Sequence, residues 1–212
     1  MKMILRHSTK ALEYAARTIS NGGLIAFRTD TFYGLGANPS NPLSVRRIRH
    51  LKGRDKAKPI LLLVSDYDKV LHFITEPSEL FLSMASRHWP GPLTLVGSAR
   101  PELPEELTAG SGTIGLRLPD DDDVRSLVRV CGGALTATSA NPSGRLPAQT
   151  ANDVDAYFAV GIDLIIDGGE ATVMQASTVV DLSGPEPRLI REGAVSRETL
   201  DEMLKETGMA LA

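Results

Sequence analysis

The stretch GLIAFRTDTFYGLG, Gly23 to Gly36, decides the fold. Its first half, Leu24 to Phe27, is a short apolar run without alternation, which predicts a strand buried on both faces. Its second half, TDTFYGLG (Thr29–Gly36), runs on towards Pro42 and reads as a loop of small hydroxyl and glycine residues leaving that strand. Ligands of open α/β sheets bind outside the carboxyl ends of the strands, so this loop reads as a pocket floor. Gly34 and Gly36 are equally plain turn chemistry. The segment is neither a G-x-G-x-x-G fingerprint nor a P-loop with its terminal Lys-Ser/Thr.

Upstream, Ser8 is placed to cap a helix with Leu12, Ala15, Ala16 and Ile19 on one face, stopped by Gly22 and Gly23. Downstream, Pro42 suits the first turn of a helix turning Val45, Ile48 and Leu51 inward. PILLLV (Pro59–Val64), LTLV (Leu93–Val96), TIGLRL (Thr113–Leu118) and ALTATS (Ala134–Ser139) read as strands. Helices are expected over Pro77–His88, from Asp120–Asp123 to about Gly132, and over Asn152–Phe158. Arg100–Gly112 reads as a surface excursion. DLIID (Asp163–Asp167), STVVD (Ser177–Asp181) and RLIRE (Arg188–Glu192) are late strands, and Ser196 is placed to cap a last helix. Alternating elements early and paired strands late predict an α/β fold, a twisted mixed β-sheet flanked by helices. No repeat or flexible linker divides the 212 residues. A single domain is expected over 1–212, with a core of about 11–195 and a C-terminal helix of about 196–208.

Composition limits the function. A net charge of −3 and 5% aromatic residues argue against an extensive nucleic-acid surface, so an anion must be held by a local cluster. One cysteine, Cys131, excludes an internal disulfide, fits a reducing compartment and reads as buried core. The start MKMILRHSTK lacks a signal-peptide core, and no apolar run is long enough to span a membrane. A cytoplasmic protein is expected. His7, His50, His72 and His88 are scattered without metal-ligand spacing, so no metal site is expected.

The local cluster is present. Between Arg46 and Lys58 stand seven of the chain's 23 basic residues: Arg46, Arg47, Arg49, Lys52, Arg54, Lys56 and Lys58, against one acid, Asp55. A solvated helix face accounts equally well for Arg46, Arg47 and Arg49. Lys52, Arg54 and Lys58 lie where the helix yields at Gly53 to a loop entering a buried strand, a position suited to phosphates. TSANPSG (Thr138–Gly144) also leaves a strand end. Ser139 and Asn141 suit a phosphate or ribose, and the same residues make an ordinary turn. Arg117, Ser177 and Arg191 are strand residues. A buried Arg117 needs an anion, either an internal partner among Asp120 to Asp123 or a ligand's carboxylate or phosphate. With no nucleophile evident, the chemistry reads as positioning and charge stabilisation.

Taken in order, TDTFYGLG, LKGRDKAKPI, WPGPLTLV, TIGLRLP, TSANPSG, STVVD and LIREG resemble the YrdC/TsaC family of threonylcarbamoyl-AMP synthases, over about Ala11 to Val195. The resemblance implies a twisted sheet with a basic concave cavity on one face. It also implies a reaction. The L-threonine amine captures bicarbonate as a carbamate, which attacks the α-phosphate of ATP to give threonylcarbamoyl-AMP and pyrophosphate. A downstream transferase then moves the group to adenosine 37 of ANN-decoding tRNAs (the t6A modification). By motif, Lys52, Arg54 and Lys58 would bind the ATP phosphates, with Lys52 and Arg54 as the catalytic cations. Thr113, Ser139, Asn141 and Arg191 would complete the ATP site. Thr31, Arg117 and Ser177 would hold threonine, Arg117 through its carboxylate, and Mg2+ would ride on the phosphates. Many members have Pro at the position of Arg28, and some a threonine-contacting His at Leu63. The alternatives are an RNA-binding module that holds a tRNA end in the same concavity without catalysis, and a related carbamoyl-adenylate enzyme acting on another amine.

Overall fold

Ser8 opens the first helix as its spacing predicts. Its hydroxyl accepts from the Ala11 amide at 3.3 Å, and α1 (Thr9–Ser20) follows. The computed structural model describes residues 3–53, 59–171, 175–206 and 210–211. Within them, ten strands form one sheet: β1 (Met3–Arg6), β2 (Ile25–Arg28), β3 (Tyr33–Gly36), β4 (Leu61–Val64), β5 (Leu93–Ser98), β6 (Thr113–Arg117), β7 (Ala134–Ser139), β8 (Leu164–Asp167), β9 (Thr178–Asp181) and β10 (Arg188–Arg191). Their spatial order is β1-β8-β2-β3-β7-β4-β6-β5-β9-β10. Four of the pairings are parallel (β1/β8, β2/β8, β4/β6, β5/β9) and the rest antiparallel, so the sheet is mixed as expected.

The loop expected over Thr29–Gly36 is corrected by the structure. Tyr33–Gly36 is β3, paired antiparallel to β2 on one side and β7 on the other. Its glycines serve close packing. A Cβ on Gly36 would stand 2.8 Å from Phe27 Cε1 and 3.2 Å from Ile25 Cγ1. A strand whose small residues make room for neighbours carries little β-propensity of its own. The supposed excursion after Arg100 holds a short helix, α4 (Glu105–Thr108), whose Leu107 is fully buried. A 3₁₀ turn over Tyr67–His72 and the edge strand β1 are further elements without a sequence signal.

Strand pleating sorts the side chains into two faces. One face carries Leu62, Val64, Leu95, Ile114, Leu116 and Val180. They pack with Val45 and Ile48 of α2 (Pro42–Lys52), Phe81 and Met84 of α3 (Glu79–His88), Val154 of α6 (Ala151–Tyr157) and Leu200 and Leu204 of α7 (Arg197–Glu206). The other face carries Ile25, Phe27, Leu63, Leu135, Leu164 and Ile166. They lie under α1 and under Val124, Leu127 and Val128 of α5 (Asp122–Val130). These two helices contact β8, β2, β4 and β7. The sequence of this second face continues past them onto β6, β5, β9 and β10.

Candidate functional site

Register decides which polar residues share that continuing face. Phe27 pairs with Gly34, Gly34 with Ser139, Leu61 with Ala137 and Leu63 with Arg117. Further along, Val96 pairs with Gly115, Ser98 with Thr113, Thr94 with Val179 and Val179 with Arg191. Because cross-strand partners lie on one face and alternate residues keep it, Ser139, Thr113, Arg117, Thr94 and Arg191 all project on the α1/α5 side. Ser177, two residues before Val179, holds the same parity. Among the described residues the helices packed on β5 and β6 are α3 and α4, which contribute Phe81, Met84 and Leu107 to the opposite core.

Arg117 is 4% exposed. It forms an ion pair with Asp30 in the β2–β3 connection, and its Nε is buried without a partner among the described residues. The partner expected among Asp120 to Asp123 is therefore corrected. Asp121 caps α5 and pairs with Arg28 at 2.9 Å, and Asp122 is turned to Arg125 near full exposure. Burial pushes the Asp30 carboxyl above its ordinary value, although Arg117 and the backbone amides of Asp120 and Asp30 oppose this. Burial also draws the Arg117 pKa down, with Asp30 opposing and Arg191 adding repulsion.

Thr31, beside Asp30, is buried with its hydroxyl 3.0 Å from that of Thr29. The Thr29 hydroxyl also lies 2.7 Å from the Phe32 carbonyl, to which it donates. Ser177 is buried, its hydroxyl 3.0 Å from Thr94 Oγ1. Arg191 donates to the Ser177 carbonyl from Nε at 3.1 Å and from Nη2 at 2.8 Å, and to its hydroxyl at 3.2 Å. Burial lowers the Arg191 pKa as well. The structure thus brings Thr31, Arg117, Ser177 and Arg191 into one neighbourhood. Arg191 stands beside Ser177, a member of the set assigned to threonine.

A second cluster gathers around Lys52, 5% exposed at the end of α2. Helix α2 is capped by Asn41, begins at Pro42 and stops at the left-handed Gly53. The Lys52 ammonium donates to the Ser139 carbonyl and, at 2.8 Å, to that of Asn141, with both side-chain oxygens at 3.4 Å. Asn141 Nδ2 donates to the carbonyls of Pro142 at 3.0 Å and Arg145 at 2.6 Å, which fixes the turn. Arg54 and Lys58 lie outside the described residues. Thr113 stands at the opposite end of β6 from Arg117, four residues or roughly 13 Å along the strand. Its hydroxyl lies 3.0 Å from that of Ser111.

Sequence reasoning misses Asp30 and Thr94. The only signals were an acid between two threonines in T-D-T and a lone hydroxyl inside the apolar run LTLV. Cys131 is half-buried at the end of α5, and burial pushes its thiol up to about 12, which suits packing and not nucleophilic chemistry. A cavity of about 20 Å³ under α5, lined by His7, Phe27, Arg28, Val124, Leu127 and Ile166, contains none of the clustered residues. No helix among the described residues is long and apolar enough to cross a membrane.

Residues 17–193 match the Sua5–YciO–YrdC family, whose description reads "Telomere recombination". The chain is 38% identical over 165 residues to the threonylcarbamoyl-AMP synthase of Thiobacillus denitrificans, covering 78% of this chain and 87% of that one. It is 35% identical over 195 residues to the threonylcarbamoyl-AMP synthase of Pyrococcus abyssi, covering 92% of this chain and 57% of the relative. The crystal structure of P. abyssi Sua5 complexed with L-threonine superposes with a TM-score of 0.91 at 32% identity, over 100% of this chain and 62% of that chain. The chain thus spans little more than half the length of the Pyrococcus protein. With the family match running from β1's neighbouring helix to the end of β10, and the fold shared with Sua5, the chain belongs to the Sua5–YciO–YrdC family.

Proposed function

We propose that the protein is an L-threonylcarbamoyladenylate synthase, forming threonylcarbamoyl-AMP and pyrophosphate from L-threonine, bicarbonate and ATP for tRNA modification. The observation that carries this reading is Arg117. A guanidinium 4% exposed, whose buried Nε has no partner among the described residues, suits a ligand carboxylate. Thr31 and Ser177 on the same face add hydroxyls to hold the rest of an amino acid, and Arg191 adds a second cation. The uncovered half of the sheet would be the basic concave cavity. Ser139 and Asn141, set by Lys52, would meet the nucleotide together with Thr113, Arg54 and Lys58.

With threonine anchored by its carboxylate, its amine would combine with bicarbonate, losing water, to leave a carbamate oxygen. That oxygen attacks the α-phosphorus and the bond to the β,γ-diphosphate breaks, releasing pyrophosphate. The enzyme's contribution would be orientation of two anions and neutralisation of the charge gathering at phosphorus. Magnesium would enter as the nucleotide's own counter-ion, because it keeps waters and substrate oxygens as ligands. Among the described residues no group of three His, Cys, Asp or Glu could hold it.

The test is pyrophosphate release measured with each substrate omitted in turn. Release that requires both L-threonine and bicarbonate supports the reading. Release with another amino acid preferred would replace threonine as the substrate, and salt-sensitive RNA binding with no release would favour a binding module. Arg54→Ala is expected to abolish release with an unchanged fold by circular dichroism.

A further inference from the structure

We infer that Asp30 is a positioning residue for the carboxylate site: it fixes the Arg117 guanidinium and sets the site's charge for one carboxylate. The inference rests on the threonine reading above. Arg117 lies on β6, whereas Asp30 lies in the connection between β2 and β3, on the far side of β3, β7 and β4. The pair is therefore a bridge across the face and not a neighbour contact within the sheet. It uses one nitrogen of Arg117, Nη2, and leaves Nε without a partner among the described residues. A guanidinium has five N–H donors in a rigid plane, so an anchor at one nitrogen fixes the direction of the others.

Asp30 is itself held. The flanking Thr29 hydroxyl accepts from the amides of Thr31 at 3.1 Å and Phe32 at 3.2 Å while donating to the Phe32 carbonyl. Asp121, next to Asp120, is tied through Arg28 to the end of β2, so both sides of the bridge are pinned. Electrostatics give Asp30 a second task. Arg191, itself bonded to Ser177, stands near enough to the buried Arg117 to repel it. With Asp30 the three groups sum to one positive charge, which a single carboxylate neutralises. Without it, the buried Arg117 would face the more exposed Arg191 with no internal anion between them.

The experiment is calorimetric titration of L-threonine, in the presence of a non-hydrolysable ATP analogue, into the wild-type chain and Asp30→Asn, with the analogue titrated separately. Asparagine keeps the shape and an acceptor oxygen but removes the charge. Threonine affinity is expected to fall at least about tenfold, as loss of a charge-assisted contact does. Affinity for the analogue is expected to hold within about twofold, a difference well under the tenfold that 1.4 kcal/mol produces. Unchanged threonine affinity, or equal losses for both ligands, would overturn the inference. Should Asp30→Asn not fold, Asp30→Glu carries the test, since it keeps the charge but displaces it by a methylene and should show the same selective loss. If wild-type protein does not bind threonine, the substrate reading fails and this inference falls with it. Wild-type binding with an indifferent variant sinks Asp30 alone.

Discussion

The Lys52 ammonium lies 2.8 Å from the carbonyl oxygen of Asn141, at the end of a helix and under a turn that are 89 residues apart in the chain. The backbone repeats the link, with the Ser143 amide donating to the Lys52 carbonyl at 2.8 Å. Lys52 therefore couples α2 to the turn after β7.

Lys52→Met should remove that coupling and leave two buried carbonyls short of a charged donor. A loss of about 2 kcal/mol or more in urea unfolding is expected, since each hydrogen bond to a charged group contributes roughly 1.5–3 kcal/mol. KM for ATP in the pyrophosphate assay should rise together with that loss. A variant with wild-type stability and raised KM would show instead that Lys52 acts on the nucleotide directly.

Ser177→Ala removes the hydroxyl between Thr94 and Arg191. Threonine binding should weaken about tenfold, consistent with one lost hydrogen bond and an unsatisfied Thr94. Calorimetry with the ATP analogue should show nucleotide affinity unaltered.

Cys131 should resist thiol reagents. Burial raises its thiol to about 12, so at pH 8 only about one in 10⁴ is thiolate. Reaction with a disulfide reagent is expected to be at least about a hundredfold slower in native than in urea-unfolded protein. Comparable rates would show that the α5 end opens readily.

The capping box of α6 gives a pH-dependent stability. The Thr150 hydroxyl accepts from the Asp153 amide at 3.1 Å, and the Asp153 carboxylate accepts from the Thr150 amide at 2.9 Å. Thr150→Ala should cost about 1 kcal/mol, or a Tm fall of about 2–4 °C for a chain of this size. The Thr150 hydroxyl holds the Asp153 carboxyl below its usual value. A depressed folded pKa means that the stabilisation is full above the unfolded value, about pH 4, and is lost as pH falls through the folded one. The Tm gap between wild type and Asp153→Asn should therefore be present at pH 7 and shrink as pH is lowered below about 4.

Local order was legible where a single side chain meets its own backbone. Ser8 before α1, Asn41-Pro42 before α2 and Gly53 after it are decided within a few residues, and the apolar runs of β2, β4 and β7 announce burial on both faces. The sequence by itself also pointed to the family, through seven short motifs in order along the chain. It could not show that Tyr33–Gly36 is a strand, since those glycines are explained by Phe27 and Ile25 across the sheet. Nor could it find the partner of Arg117. Asp120 to Asp123 are near in sequence, yet Asp30 is near in space. The pair joins β6 to the β2–β3 connection across four strand pairings, a juxtaposition that no local stretch of sequence encodes. Pairing order, register and twist are cooperative properties of ten strands together, and only they decide which charges meet.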